Sequence, residues 1–168
     1  LLRLDRALDM RAARTLRAAV FIQSPDNPFH AALKQAVDAR NRGPNPWNLQ
    51  LRIFHVAPRL TEALIDRVAG VGADHDAVVI CVAHDERLAR VLREIMDRGK
   101  PVIALATDLS CLGIRYVGPD NRQAGRVAGD MMGRLLGPAG GDVLVIAGHL
   151  SMMGHGQRID GFGQVLAQ

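Results

Sequence analysis

The stretch 23–30 reads Gln-Ser-Pro-Asp-Asn-Pro-Phe-His, and it carries side chains suited to holding a small polar ligand. The amide of Asn27 donates and accepts at once, as a sugar hydroxyl requires. Phe29 offers a flat apolar face for the C–H groups of a sugar ring. The same residues also spell a turn, since Asp-Asn-Pro bends the chain and caps a helix while Phe29 packs inward. Spacing alone leaves both readings open. His84 and Asp85, and the pair His149 and His155, invite a catalytic reading. No serine elbow, metal-ligand spacing or third orienting group accompanies them, so turn-forming or solvated loop residues are the better reading, and no enzyme is expected.

Two further features can be set aside. The glycine-rich run 137–141 joins a helix to a strand, the reverse of the order a dinucleotide loop needs, and there is no Walker loop; no cofactor is expected. Cys81 and Cys111 fit no metal spacing and no Cys-x-x-Cys motif. Cys81 lies in the run Val-Val-Ile-Cys-Val, where a thiol behaves as a small buried apolar group. Free thiols accord with a reducing compartment, and a cytoplasmic location is the expectation.

The elements that must position these residues follow from periodicity. The continuous apolar run at 18–22 reads as a strand covered on both faces, 49–56, 77–82 and 101–106 read as the second, third and fourth strands, and 115–117 as a short fifth. Between them lie amphipathic helices marked by Phe29, Leu33, Ala36 and Val37, then by Leu60, Leu64, Ile65 and Val68, then by Leu88, Val91, Leu92, Ile95 and Met96. Gly99 stops the third helix as a glycine after a helix end should. Strand alternating with helix predicts an α/β fold: a parallel sheet with helices on both faces. Ligands in such sheets bind beyond the C-terminal strand ends, here 23–30, 83–86 and 107–110.

A helix follows at 121–136, capped by Asp120 or Asn121. Ala124, Val127, Ala128, Met131 and Leu135 form its expected inner face, while Gly125, Gly129 and Gly133 recur beside them. Each helical glycine costs about 1 kcal/mol against alanine, so three in register predict a very close neighbour. Residues 142–147 read as a sixth strand, followed by a loop and a helix with Ile159, Phe162, Val165 and Leu166 inward. Residues 1–17 read as a linker or leftover helix.

Of the 168 residues, 48% are hydrophobic and 23% charged, a globular composition. The net charge of +4 comes from arginines scattered along helices, and aromatics are only 4%, so a direct nucleic-acid face on this chain is the minor reading. No apolar run approaches membrane-spanning length, and no membrane partner is expected. The chain opens on Leu, and its last strand and helix cannot bury themselves alone. The expectation is a truncated piece of a longer protein.

Four motifs in order carry a family resemblance: Ser-Pro-Asp-Asn-Pro-Phe-His at 24–30, Lys-Pro-Val-Ile-Ala-Leu at 100–105, Tyr-Val-Gly-Pro-Asp-Asn-Arg-Gln-Ala-Gly at 116–125, and Arg-Ile-Asp-Gly-Phe at 158–162. Together they resemble the type I periplasmic-binding-protein fold, and within it the effector-binding core of LacI-type transcriptional regulators. The resemblance implies a first lobe over 18–120 and the start of a second over 121–168, with a crossover hinge at Gly118, Asp120 and Asn121. It implies Gln23, Asn27, Phe29 and His30 as first-loop ligand residues, His84 and Asp85 at the third strand tip, and Arg158 gripping sugar hydroxyls. Asp108 approximates an acidic position that relatives place after the fourth strand, and His30 stands where they often carry a second aromatic. The implied partners are a carbohydrate-like effector, a second copy of the chain, and operator DNA bound through a helix-turn-helix domain upstream. The alternative is a sugar-binding protein of an ABC transporter.

Overall fold

The computed structural model describes residues 14–57 and 59–167. Five parallel strands form one sheet in the order β2-β1-β3-β4-β5: β1 (Leu16–Gln23), β2 (Leu49–Val56), β3 (Ala77–Ile80), β4 (Val102–Leu105) and β5 (Arg115–Val117). The apolar run at 18–22 is buried throughout because β1 is central, with a neighbour on each edge and side chains covered on each face. The strand begins at Leu16, earlier than the apolar run suggests, and so takes in the last residues of the helix expected over 1–17. The cause is local: the Leu16 N–H donates to the Asn48 carbonyl at 2.8 Å, and the Arg17 N–H to Asp76 Oδ2 at 2.8 Å. Residues 1–13 of that expected helix lie outside the described residues.

Three helices cover the sheet: α1 (Pro28–Arg42), α2 (Glu62–Asp74) and α3 (Glu86–Asp97). One face of the sheet, with Phe21, Val78, Ile80 and Ala104, packs against Leu64, Ile65 and Val68 of α2 and Leu88, Leu92 and Ile95 of α3. Burying an aliphatic or aromatic side chain of this size contributes about 1.5–3 kcal/mol, so this layer dominates the fold's stability. The other face, with Val20, Ile22 and Cys81, receives Leu33 of α1 and, from far along the chain, Met152. The strand order reverses between β1 and β3, and the crevice at such a switch point is where an open α/β sheet holds its ligand.

Beyond the sheet, α4 (Asn121–Leu136), a short 3₁₀ turn (Gly137–Ala139) and α5 (Met153–Leu166) follow. Gly125 and Gly129 answer the question their spacing poses. A Cβ on Gly125 would strike the Arg158 carbonyl oxygen, and one on Gly129 would lie 2.7 Å from that of Phe162. Gly161 of α5 reciprocates, lying against the Arg122 carbonyl of α4. The neighbour is therefore the backbone of α5. Gly133 lies at the looser end, with only the Leu166 side chain at 3.5 Å.

Two expectations are corrected here. Residues 142–147 form no strand: a strand exists by its ladder, and no described residue pairs with them. Nor is the apolar stripe of α4 turned inward. Val127, Met131 and Leu135 are 51, 60 and 80% exposed, because α4 spends its close contact on the glycine edge beside them.

Candidate functional site

At the β1–β3 switch point the chain closes around a cleft of about 450 Å³, within the roughly 300–1,000 Å³ usual for small-molecule sites. Gln23, Asn27, Phe29 and His30 line it from the first loop, and Arg158 from the first turns of α5. Cys81, Thr107, Met152 and His155 complete much of the wall.

The first loop reconciles the two readings of its sequence. Asn27 is the N-cap of α1, its Oδ1 accepting from the Phe29 N–H at 2.9 Å. The cap uses the oxygen and leaves the Nδ2 donors available at the cleft. Phe29 does not pack inward; it is 49% exposed at the cleft, with its ring edge-to-face on His30 at 5.2 Å. His30 is 4% exposed, and its Nδ1 is buried without a hydrogen-bond partner among the described residues. Burial, and then the nearby His55 imidazole, push its pKa below the ordinary histidine value and favour the neutral ring. Gln23 is half-buried, and its Nε2 reaches Met152 Sδ at 3.9 Å.

The opposite wall is brought in by a loop that clamps onto the sheet. Met152 is buried among Val20, Ile22, Cys81 and Ala83. The Gly154 N–H donates to the buried Thr107 Oγ1 at 3.2 Å, and the His84 N–H to the Ser151 carbonyl at 3.4 Å. Two glycines allow the approach. A Cβ on Gly154 would meet Asn121 Nδ2 at 2.9 Å, and one on Gly148 would meet the His155 ring at 2.6 Å. His155 Nδ1 lies 3.1 Å from the His149 carbonyl and donates to it. Burial raises the Cys81 thiol to about 11, so this cleft residue is a neutral apolar wall and not a nucleophile.

The remaining expected residues lie elsewhere. Asp85 caps α3, accepting from the Arg87 and Leu88 N–H groups, and pairs with the Arg87 guanidinium. His84 Nε2 stands 3.3 Å from Glu86 Oε1. Neither lines the cleft. Asp108 accepts from the Leu109 N–H at 2.8 Å and borders a separate groove with Tyr116, Gly118, Asp120, Asn121 and Arg122. That groove is the expected hinge region. Asp120 is the cap of α4, its Oδ1 accepting from the Gln123 N–H at 2.9 Å, whereas Asn121 is the first helical residue and 2% exposed. Asn121 Nδ2 donates to the Tyr116 hydroxyl at 3.1 Å, which lies 2.8 Å from the Pro119 carbonyl. Gly118 lies so close to the Tyr116 hydroxyl that no side chain fits there.

Sequence reasoning missed Met152 and Thr107 as cleft residues. A methionine pair in a glycine-bounded loop after an apolar run is the one signal that points to Met152. A smaller cavity, about 270 Å³, lies between α4, α5 and residues 145–148. His155 and Arg158 reach its edge, but its wall of Ala124, Ala128, Val145, Ile146, Ile159 and Phe162 suits no polyhydroxylated ligand.

A parallel sheet with a switch-point cleft, closed by a helix that returns across it, defines a two-sided small-molecule binding domain. Residues 18–168 match the family described as periplasmic binding protein domain, and the chain belongs to that family. It is 31% identical over 111 residues to a D-ribose/D-allose-binding protein of Pseudomonas aeruginosa, a match covering 62% of this chain and 33% of that protein. Among solved structures it is similar to XylFII, with a TM-score of 0.74 and 23% identity over 91% of this chain and 56% of the other. A solute-binding protein of an ABC transporter from Burkholderia graminis, solved with D-arabinose, gives a TM-score of 0.75 at 20% identity, covering 94% of this chain and 54% of the other. At such identities the structures establish the fold. The chain spans a little over half the length of these solved relatives.

Proposed function

We propose that this chain is part of a receptor for a carbohydrate-like small molecule, serving an ABC transporter. The observation that carries the reading is the convergence on one cleft of Asn27 and Phe29 from the first loop with Arg158 from α5. An aromatic face, amide donors and a guanidinium fork match the mixed apolar and hydroxyl surface of a sugar ring. The ribose/allose-binding relative and the arabinose-bound structure support a carbohydrate and favour transport over gene regulation. The LacI-type reading, with its operator DNA and dimer, rests on the motif resemblance alone and stands second. On the transport reading the protein works outside the cytoplasmic membrane, in place of the cytoplasmic location expected from free thiols, and acts by binding rather than by turnover.

The test is a thermal-shift screen of the complete protein against pentoses, hexoses, their acids and polyols, with cell fractionation alongside. Stabilisation by at least one carbohydrate and recovery outside the cytoplasm are expected. Recovery in the cytoplasm on operator DNA would replace the transport reading with the regulator.

A further inference from the structure

We infer that Tyr116 is a positioning residue for ligand binding: through Asn121 and α4 it fixes where Arg158 stands in the cleft, without itself touching the ligand. The inference rests on the carbohydrate-receptor reading and adds to it a residue outside the cleft lining. The helices α4 and α5 meet along a ladder with a four-residue step. The Asn121 amide packs on Gly154, where a Cβ would meet Nδ2 at 2.9 Å. Gly125 lies against the backbone of Arg158, and Gly129 against that of Phe162. Helix geometry puts 121, 125 and 129 on one edge of α4, and 154, 158 and 162 on one edge of α5. Of the α4 rungs only Asn121 carries a side chain that can bond. It is 2% exposed, and its Nδ2 donates to the Tyr116 hydroxyl at 3.1 Å. Tyr116 belongs to β5, so one hydroxyl joins the ladder to the sheet.

The same hydroxyl donates to the Pro119 carbonyl at 2.8 Å and lies 3.3 Å from the Ala106 carbonyl. Ala106 and Pro119 both line the cleft. Ala106 is held there at φ 61°, a left-handed conformation that residues with a side chain seldom adopt unless their surroundings impose it. The start of α5 is also held directly, by Met152 and by the Gly154 N–H on Thr107 Oγ1. Those contacts lie at one end of the helix, so they fix its position but not its direction. Arg158 stands a turn further along, where a tilt of α5 becomes a displacement of the guanidinium. Contact with α4 removes that tilt if α4 is itself held to the sheet, and Asn121 on Tyr116 holds it. The requirement is strict, because a guanidinium grips neighbouring oxygens through a rigid fork and such groups must be held to within about 0.5 Å.

The experiment is a cycle of Tyr116→Phe and Arg158→Ala in the complete protein, read by calorimetric titration with D-ribose, D-allose, D-arabinose and any other sugar or polyol that the thermal-shift screen returns. Phenylalanine keeps the ring and removes only the hydroxyl. Tyr116→Phe should weaken affinity about tenfold, whereas in the Arg158→Ala background the same change should cost less than about twofold. The lost hydroxyl also strands the Asn121 amide, so stability is separated from positioning with Tyr116→Phe/Asn121→Leu, where both partners are apolar. Its melting temperature should return towards the parent's while its affinity stays low. Unchanged affinity in Tyr116→Phe, an equal loss with and without the Arg158 guanidinium, or recovery of affinity together with melting temperature in the double variant overturns the inference and leaves the receptor intact. If no carbohydrate binds the parent, the receptor reading fails and the inference falls with it.

Discussion

His30 is the residue whose environment makes the clearest demand. It is buried beside Phe29, with Nδ1 unpartnered among the described residues and its pKa held below the ordinary value by burial and by His55. The unfolded chain takes up a proton at this ring near pH 6.5, before the folded state does. Folding stability is therefore retained above that pH and declines as pH falls from about 6.5 towards the lower folded value. Melting temperatures should drop between about pH 7 and pH 5, and His30→Phe should flatten that slope; an unchanged slope would contradict the account. Asp76 acts in a separate window. Arg14 and the Arg17 N–H hold its carboxyl well below the usual carboxylate range. Its contribution is present above the ordinary carboxylate pKa of about 4 and is lost only as pH falls below that. The first loop was half legible: Asn27 and Phe29 could be named from residue type. That Asn27 serves cap and cleft together depends on which of its atoms faces the helix, and sequence does not encode that directly.

At the scale of elements, the α4–α5 pair gives opposite predictions for chemically identical substitutions. Glycine to alanine inside a helix ordinarily stabilises by about 1 kcal/mol. Gly163 of α5 has open space around it and should follow that rule. Gly125 lies against the Arg158 backbone, which cannot rotate away, so Gly125→Ala forces the helices apart and should cost about 1–3 kcal/mol. Denaturant titration of the two variants distinguishes them; a stabilising Gly125→Ala would contradict the close packing. A close neighbour for α4 was legible from the four-residue glycine spacing, because helix geometry alone puts such residues on one edge; that the neighbour is α5 was not. The strand expected at 142–147 was misread for the complementary reason. An apolar run rich in β-branched residues marks a segment fit for a sheet, but only a paired neighbour makes it a strand, and that neighbour is not encoded in the segment. The same limit explains why Val127, Met131 and Leu135 are exposed despite their regular spacing.

At the scale of the whole molecule, the seam between the sheet and α5 decides whether the cleft exists. Met152 is the plug that holds this seam, buried on the sheet face among Val20, Ile22 and Cys81. Met152→Ala should leave the α2–α3 side of the core intact while loosening the loop, and hydrogen exchange should show it. The Gly154 amide, bonded to Thr107 Oγ1, should lose protection in the variant, while amides of β1 and α3 keep theirs. Uniform loss across the sheet would mean that Met152 supports the fold itself rather than the seam. The parallel sheet was legible because strands rich in apolar residues alternate with helices that each carry their own stripe. The seam was not, since one methionine joins it to a strand far back along the chain and one hydroxyl to a residue 47 positions away.

The measurement closest to the central claim is a calorimetric titration of the complete protein and its Arg158→Ala variant with the carbohydrate that stabilises it most. Arg158 is exposed and without an ion pair among the described residues, so its removal should leave the melting temperature within about 1 °C. Affinity should fall by about a hundredfold, corresponding to about 2.7 kcal/mol for the charged contact. Undiminished affinity in the variant would show that the carbohydrate binds elsewhere and that the cleft described here is not its site.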